Sequence, residues 1–234
     1  MVQTQKVFIV IPSYKPGDEL IGLVEILLAY GRDAYRVIVV DDGSGIKYRI
    51  IFEHLARNLK VTVLTHNHNK GKGAALKTAF NYLLERSNIM PVITADADGQ
   101  HVPEDIVRVL ESAVVCPESI VLGCRSMTGK KIPIFSRIGN NWSVRIFKAL
   151  TGEEISDIQT GLRGIPASYL PLLIRFPQDG FDFESAMLLD NAIQKRYPVK
   201  EIEITTIYSR KHKSHFRPLQ DSWRILRSLK AKKF

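Results

Sequence analysis

Short apolar runs alternate with amphipathic stretches along the first half of the chain. Five runs rich in apolar and β-branched residues have the length and composition of buried strands, at residues 6–11, 35–40, 61–65, 91–95 and 119–123. Stretches with apolar positions at helical spacing lie between them, at residues 18–30, 47–59, 74–85 and 103–115. This alternation predicts an α/β fold with a mostly parallel central sheet, helices on both faces and a ligand site at the carboxyl ends of the strands.

The alternation is less regular in the second half of the chain. The apolar spacing predicts helices over 135–150 and 181–195, and alternating polarity predicts a half-exposed strand over 199–208. No internal repeat or low-complexity linker separates these elements from the first half. We therefore expect a single domain that includes both halves.

Polar side chains follow the fourth predicted strand, in the segment ITADADGQH at residues 93–101. Asp96, Asp98 and Gln100 alternate, and alternate side chains of an extended segment point the same way. Two carboxylates and an amide oxygen are the hard ligands that Mg²⁺ or Mn²⁺ takes when it also binds substrate phosphates. The same residues are typical of a turn that caps the next helix, so both interpretations stay open.

Basic residues mark two further strand ends. Lys72 lies between Gly71 and Gly73 before a predicted helix, and a glycine-rich basic turn at a helix N-terminus is typical of a phosphate or anion site. The spacing is neither that of a Walker loop nor that of a dinucleotide-binding loop. Arg125 follows the fifth predicted strand on the same sheet edge as the carboxylates, where it would either hold a phosphate or form a surface ion pair.

Composition narrows the class of protein. The 234 residues are 45% hydrophobic and 24% charged, which is typical of a soluble globular chain. No uncharged apolar run approaches the roughly 18 residues of a transmembrane helix, so we expect no membrane span. Cys116 and Cys124 lack the spacings of a zinc site or a disulfide framework, which favours reduced thiols in the cytoplasm.

The net charge of +9 is concentrated at the C-terminal end. Residues 208–234 contain nine Lys and Arg and one acid, whereas the rest of the chain contains 24 basic and 23 acidic residues. Such a tail favours an anionic partner, either a lipid surface or a nucleic acid. A predicted helix over 219–232 places Leu219, Trp223 and Leu226 in one arc, which fits docking on the domain or burial in a membrane interface.

Five segments at predicted strand ends or turns carry a family resemblance: VIPSY, VVDDGSG, NKGKGAAL, ADADGQH and DIQTGLRG. In this combination and order the chain resembles the family 2 glycosyltransferases over nearly its whole length, and most closely their dolichyl- and undecaprenyl-phosphate sugar synthases. The resemblance implies the A-type, Rossmann-like nucleotide-sugar fold. It divides the chain into a glycosyltransferase domain at 1–208, with a nucleotide-sugar half at about 1–125 and an acceptor half at about 126–208, and a basic amphipathic tail at 209–234.

The resemblance implies a nucleotide-base site in the first half of the domain. By matching position, Pro12 and Tyr14 would line the base, and Asp42 would hydrogen-bond it. The chain departs from the family pattern after Tyr14, where Lys15 and Pro16 stand instead of the usual Asn-Glu pair. Glu19 would replace the missing acid only after a loop insertion.

Matching positions also imply the diphosphate and metal contacts. Lys72 would lie near the base or the phosphates, and Asp96 would approach the nucleotide. Asp98 and Gln100 would hold the metal ion, Mg²⁺ or Mn²⁺. The metal would act as electrophile and template for the leaving diphosphate.

The acceptor decides which further residues the chemistry requires. A polyprenyl phosphate already carries a nucleophilic oxyanion, so Arg125, with Arg137, would hold it and Asp157 would orient it. A soluble or glycan hydroxyl acceptor instead requires a general base, for which the resemblance suggests Asp157 first and Glu184 second. Transfer in one displacement would invert the anomeric centre.

These inferences define the expected function and partners. We expect a metal-dependent inverting glycosyltransferase that uses a UDP- or GDP-sugar and a lipid phosphate. It would lie in the cytoplasm, peripheral at the inner face of the membrane, with the tail on anionic lipid and no nucleic acid bound. The alternatives are a hydroxyl acceptor, a nucleotidyltransferase, or a non-catalytic nucleotide-binding protein.

Overall fold

The computed structural model describes residues 6–31, 34–59, 61–86, 89–125 and 134–205, and the side chains of these residues except Lys6 and 134–141. Within these ranges the strands are β1 Lys6–Ser13, β2 Tyr35–Asp41, β3 Thr62–Thr65, β4 Ile89–Thr94, β5 Ile120–Arg125, β6 Arg163–Ile165 and β7 Val199–Ile204. The helices are α1 Glu19–Gly31, α2 Arg49–Arg57, α3 Lys72–Leu84, α4 Pro103–Val115, α5 Ile134–Thr151, α6 Leu170–Leu173 and α7 Asp182–Gln194. The predicted strands and helices of the described ranges are therefore present, with shifted ends.

The strands form one seven-stranded sheet in the order β3-β2-β1-β4-β6-β5-β7. Neighbouring strands are parallel except where β6 pairs antiparallel with β4 and with β5. The predicted mostly parallel sheet is confirmed. The carboxyl ends of β1, β2, β4 and β5 consequently lie along one edge, which we call the rim.

Two apolar cores cover the two faces of the sheet. Phe8 and Val10 of β1 belong to the core that includes α3 and α7, whereas Ile9 and Ile11 belong to the core that includes α1 and α4. Successive side chains of a strand point to opposite faces, so a strand buried on both sides is a continuous apolar run. This is why the apolar runs of the sequence predicted the strands correctly.

Strand β6 was not predicted. It has three residues, and Gly164 is paired with Ile93 of β4 and with Val121 of β5. A Cβ atom on Gly164 would lie 2.7 Å from the Cβ of Ala113 in α4, so a glycine allows this helix to approach the sheet. No helix in the described part of the chain is long and apolar enough to cross a membrane.

Candidate active site

A buried ion cluster lies at the rim where β4 ends. The Lys72 ammonium, at the start of α3, lies 2.6 Å from Asp96 Oδ1 and 2.6 Å from Glu184 Oε2. Asp96 follows β4, and Glu184 belongs to the first turn of α7. We call these three residues the Lys72 cluster. It joins α3, in the first half of the chain, to α7, in the second, and only 12% of the Lys72 side chain is exposed.

Mutual attraction keeps the cluster charged. Burial acts against the charged Lys72, but the Asp96 and Glu184 carboxylates outweigh it and raise the pKa of Lys72. Burial likewise acts against a charged Asp96, but Lys72 and then His101 lower the pKa of Asp96 well below its usual range. Lys72 is thus where the sequence placed it, on the rim, but its ammonium is already bound by two carboxylates.

The segment that carries Asp98 and Gln100 forms a tight turn. Asp98 Oδ1 accepts a hydrogen bond of 3.0 Å from the Gln100 amide, and Gly99 has φ of +69°, which a glycine adopts without strain. Asp98 is half-buried, and burial followed by repulsion from Asp96 raises the pKa of Asp98. The negative charge of Asp98 therefore lacks full compensation within the protein.

The Asp98 turn fits a divalent cation bound with few protein ligands. Among the described residues no group of three or more His, Cys, Asp or Glu side chains is placed to hold a metal ion. Mg²⁺ usually takes only one or two carboxylates and completes its coordination with water and phosphate oxygens. The Asp98 carboxylate and the side-chain amide oxygen of Gln100 are ligands of this kind, and a bound cation would offset the charge of Asp98.

His101, next to this turn, was not singled out from the sequence. It is buried, and in the described structure neither ring nitrogen makes a hydrogen bond, although Nε2 lies 3.5 Å from Asp96 Oδ2. Only its position beside the Asp98 turn could have drawn attention to it. It contributes to the low pKa of Asp96.

Asp42 is enclosed by its own part of the rim. Its Oδ1 accepts from the Lys70 amide at 2.8 Å and lies 2.7 Å from His66 Nδ1, while its Oδ2 accepts from the Gly71 amide at 2.8 Å and from the Asn69 side chain at 2.9 Å. A carboxylate has about four acceptor positions, so these contacts use its capacity. The geometry makes Asp42 the organiser of the loop before α3, and its expected contact with a base stays a prediction.

The glycine-rich turn at the start of α3 packs against the turn before α7. The Gly73 amide donates to the Gly180 carbonyl at 3.2 Å, and the Ala74 amide donates to the Asp179 carbonyl at 3.0 Å. A Cβ atom on Gly71 would collide with the Asp179 carbonyl oxygen. The Gly73 and Ala74 amides thus make their hydrogen bonds within the protein, and the predicted anion site at this turn stays a prediction.

The residues expected around the base lie at the end of β1. Pro12 pairs with Val40 in the sheet, and Tyr14 is half exposed with the Lys15 ammonium 4.9 Å from its ring centre. Glu19 accepts a hydrogen bond from the Gly17 amide. A Cβ atom added to Gly99 would lie 3.5 Å from the Cβ of Glu19. Glu19 therefore lies beside the Asp98 turn, although it comes later in the chain than the acid of the family pattern.

Arg125 and Asp157 bind each other. Arg125 Nε donates to Asp157 Oδ2 at 2.6 Å, and Nη2 donates to Oδ1 at 2.9 Å. Asp157 is fully buried and also accepts a hydrogen bond from the Gln159 amide. The pair is thus neither a surface ion pair nor two separate groups. A two-point contact of this kind fixes the guanidinium plane at the end of β5.

A buried arginine joins the Asp157 loop to α7. Arg163 donates to the carbonyl oxygens of Thr160 at 2.8 Å, Ile158 at 3.0 Å and Glu184 at 2.6 Å. Burial lowers the pKa of Arg163, partly offset by the attraction of Glu184. Sequence reasoning missed this residue. The available signal was an arginine inside an otherwise apolar and glycine segment, GLRGI.

Two expectations concern parts of the chain for which the structure gives no side chains. Arg137 lies in α5, but its side chain is outside the described residues. The basic tail and its predicted helix over 219–232 are also outside them. Both remain expectations from the sequence.

Comparison with known proteins identifies the family. The model of a family described as glycosyl transferase family 2 matches residues 8–170. The chain belongs to this family. The glycosyltransferase is 28% identical over 219 residues to a UDP-N-acetylglucosamine–dolichyl-phosphate N-acetylglucosaminyltransferase of Methanococcus voltae, covering 87% of this chain and 86% of that protein. It is 27% identical over 213 residues to a polyprenol monophosphomannose synthase of Mycolicibacterium smegmatis, covering 86% and 77%.

Solved structures show the same fold. The glycosyltransferase matches glucosyl-3-phosphoglycerate synthase of Mycobacterium tuberculosis, in complex with Mn²⁺, UDP and glucosyl-3-phosphoglycerate, with a TM-score of 0.69 and 15% identity over 97% of this chain and 80% of that one. It matches a mannosyltransferase of Pyrobaculum calidifontis, in complex with GDP-mannose and Mn²⁺, with a TM-score of 0.60 and 16% identity over 97% and 62%. The predicted A-type glycosyltransferase fold is confirmed.

Proposed function

We propose that this enzyme transfers a sugar from a nucleotide-sugar donor to a polyprenyl phosphate, with a divalent cation and with inversion of the anomeric centre. The observation that carries the proposal is the Arg125–Asp157 pair. One loop connects this pair to the Lys72 cluster, because Asp157 binds Arg125 and the α-carbon of Gly161 packs directly against the Asp96 carboxylate. The Arg125 guanidinium, a group suited to binding phosphate, would thereby lie beside the donor site.

The donor would lie along the rim from β1 to β4. We infer that Pro12 and Tyr14 meet the base, since Asp42 is used by its own loop. Asp98 and Gln100 would hold Mg²⁺ or Mn²⁺, which when bound would stabilise the charge of the leaving diphosphate. The Mn²⁺ and nucleotide in the two matched structures support this inference by analogy of fold.

The acceptor follows from what Arg125 and Asp157 can do. Asp157 is fully buried, and its oxygens accept hydrogen bonds from the Arg125 guanidinium. It is therefore poorly placed to remove a proton from an acceptor hydroxyl. A phosphate acceptor does not need this step, because its oxyanion is already nucleophilic. Asp157 then acts as a positioning residue for Arg125, and Arg125 binds the phosphate. The polyprenyl-phosphate relatives support the same class of acceptor.

A glycan or other hydroxyl acceptor is the second candidate, and Glu184 is the observation that favours it. Glu184 Oε2 is bound to Lys72, but its buried Oε1 accepts no hydrogen bond within the described structure. This oxygen lies 3.9 Å from Arg163 Nε, and a carboxylate oxygen without a hydrogen bond beside the donor site could take a proton. The nucleotidyltransferase and non-catalytic alternatives are set aside by the family match.

The test is a transfer assay with the purified full-length chain. UDP-N-acetylglucosamine and GDP-mannose are supplied as donors, with a polyprenyl phosphate or a free glycan as acceptor, in Mn²⁺ or in EDTA. We expect lipid-linked sugar to form only with a phosphate acceptor and a divalent cation. Transfer to the glycan alone would assign the hydroxyl acceptor, and transfer undiminished in EDTA would remove the metal from the proposal.

A further inference from the structure

An exposed aromatic ring lies at the mouth of the Lys72 cluster. Phe181 directly precedes α7, and 45% of it is exposed. The centre of its ring lies 5.8 Å from the Lys72 ammonium, which is itself buried against Asp96 and Glu184. A phenyl ring that remains half in solvent beside a buried charge cluster is placed to receive something from solution.

The backbone that carries this ring is held in place. In the turn before it, the Asp179 and Gly180 carbonyls accept hydrogen bonds from the Ala74 and Gly73 amides at the start of α3. The α-carbon of Gly73 packs against Phe183, where a Cβ atom would lie 2.6 Å from the phenylalanine Cβ. Because the turn is bound on one side and packed on the other, the backbone that carries the ring cannot shift without breaking the contact between α3 and α7.

The surroundings of the ring select the kind of ligand. Phe181 is flanked by two acids, Asp179, which pairs with Lys77 at 2.5 Å, and the half-buried Asp182. The Lys72 ammonium near the ring is already bound by two carboxylates, which disfavours a phosphate here, and a long isoprenoid chain would require a larger apolar surface than one ring. A sugar ring has an apolar C–H face that can stack on an aromatic ring and hydroxyls that donate to carboxylates.

We propose that Phe181 is the platform on which the sugar ring of the donor stacks. This inference rests on the proposed function, because it assumes that the donor is a nucleotide sugar. It places the sugar between the nucleotide half, which contributes Lys72 and Asp96, and the helix α7 of the acceptor half. Phe181 is then a specificity-determining residue that contacts the sugar and not the nucleotide.

The experiment compares sugar binding with nucleotide binding. Affinities of UDP-N-acetylglucosamine, GDP-mannose, UDP and GDP are measured by calorimetry with Mn²⁺ for the wild type, Phe181→Ala, Phe181→Tyr and Ile193→Ala. Ile193 is the control, since it lies on α7 and is 50% exposed. We expect Phe181→Ala to weaken binding of the preferred nucleotide sugar about tenfold and to leave the matching free nucleotide unchanged. Phe181→Tyr should restore the affinity, and Ile193→Ala should match the wild type.

Other outcomes overturn the inference. Equal losses for the nucleotide sugar and the free nucleotide would move Phe181 to the nucleotide or to the fold, and no loss would remove it from the donor site. A defect only in the use of the lipid acceptor, with donor affinity intact, would assign the ring to the acceptor. Wild-type protein that binds donors but ignores polyprenyl phosphate would contradict the proposed acceptor and leave the Phe181 result valid.

Discussion

Asp157 is fully buried, and both of its oxygens accept hydrogen bonds from Arg125. We expect Asp157→Asn to raise the KM for the phosphate acceptor more than it lowers kcat, because an amide offers one acceptor where the guanidinium needs two. The pH dependence of kcat should stay unchanged. If Asp157 were a general base, Asp157→Asn would instead lower kcat strongly and remove the acidic limb of the pH profile of kcat.

The same substitution should lower the unfolding free energy by about 3 kcal/mol, since it leaves a largely buried guanidinium without its counter-charge. Denaturant unfolding measures this loss. Glu53→Gln is a matched control, because Glu53 forms an exposed pair with Arg49 and its loss should change stability little. Similar losses of unfolding free energy in both variants would contradict a stabilising role for the buried Arg125–Asp157 pair.

The Lys72 cluster makes stability depend on pH. The pKa of Lys72 is raised, so its contribution is full below its unfolded pKa and disappears only as pH rises past the folded value. The pKa of Asp96 is lowered, so its contribution is full above its unfolded pKa and disappears as pH falls through the folded value. Between about pH 5 and pH 10 the Lys72–Asp96 pair is therefore charged and stabilising.

Replacing the Lys72 ammonium should change this pH dependence of stability, measured in metal-free buffer. In Lys72→Met, Asp96 remains without the ammonium that lowers its pKa most, so the pKa of Asp96 should rise and the stability lost by the variant should shrink as pH falls. We expect the loss of unfolding free energy to be about 3 kcal/mol at pH 8 and distinctly smaller at pH 5. Equal losses at the two pH values would mean that Asp96 stays charged without Lys72.

Single residues show where prediction from the sequence stops. The positions of Asp96, Lys72 and Arg125 on the rim follow from local patterns, because each directly follows a strand or begins a helix. Their partners do not, since Glu184 and Asp157 come from the second half of the chain and are brought in by tertiary packing. From position alone these charged side chains were expected to be available to a ligand, whereas in the structure they form ion pairs with one another and with Glu184 and Asp157.

At the scale of elements, the contact between α3 and α7 explains the glycines that resembled an anion site. A Cβ atom on Gly73 would lie 2.6 Å from Phe183 Cβ and 2.9 Å from the Asp179 carbonyl carbon. We expect Gly73→Ala to cost about 1–3 kcal/mol of unfolding free energy and to weaken nucleotide-sugar binding, because the turn must move. Urea unfolding and calorimetry measure the two effects.

Gly22→Ala is the matched control for this contact. Gly22 lies in α1, and a Cβ atom there would meet nothing within 4 Å. Because glycine is a poor helix former, this substitution should raise the unfolding free energy by up to about 1 kcal/mol. If Gly73→Ala were tolerated equally well, the packing of α3 on the α7 turn would be looser than the structure shows.

Elements differ in how well the sequence predicts them. Strands such as β1 and β2 are buried on both faces, so their continuous apolar runs predict them directly. Strand β6 has only three residues, includes a buried arginine and a glycine, and exists because β4 and β5 pair with it from both sides. Its cause is tertiary, and no local pattern predicts it.

At the scale of the whole molecule, the A-type fold places the rim along one edge of the sheet, with the Arg125–Asp157 pair at the end of β5. The main body of the chain is nearly neutral, and the excess positive charge lies in the last 27 residues. A lipid-linked acceptor stays in a membrane, so an enzyme with this distribution of charge would meet it best if the tail held the rim near an anionic surface.

The tail therefore carries the last prediction. Its predicted helix places Trp223 and leucines on one arc with Arg224 and Arg227 beside them, and each basic residue near an anionic surface contributes about 1 kcal/mol. We expect the full-length protein to cosediment with anionic vesicles but not with neutral ones, and deletion of residues 219–234 to remove this while leaving nucleotide binding intact. A Trp223→Ala variant should bind the same vesicles more weakly at equal charge, which separates insertion from attraction. If the full-length protein ignored anionic vesicles even at low salt, where attraction is strongest, the membrane partner would be wrong and the helix would be free to dock on the domain.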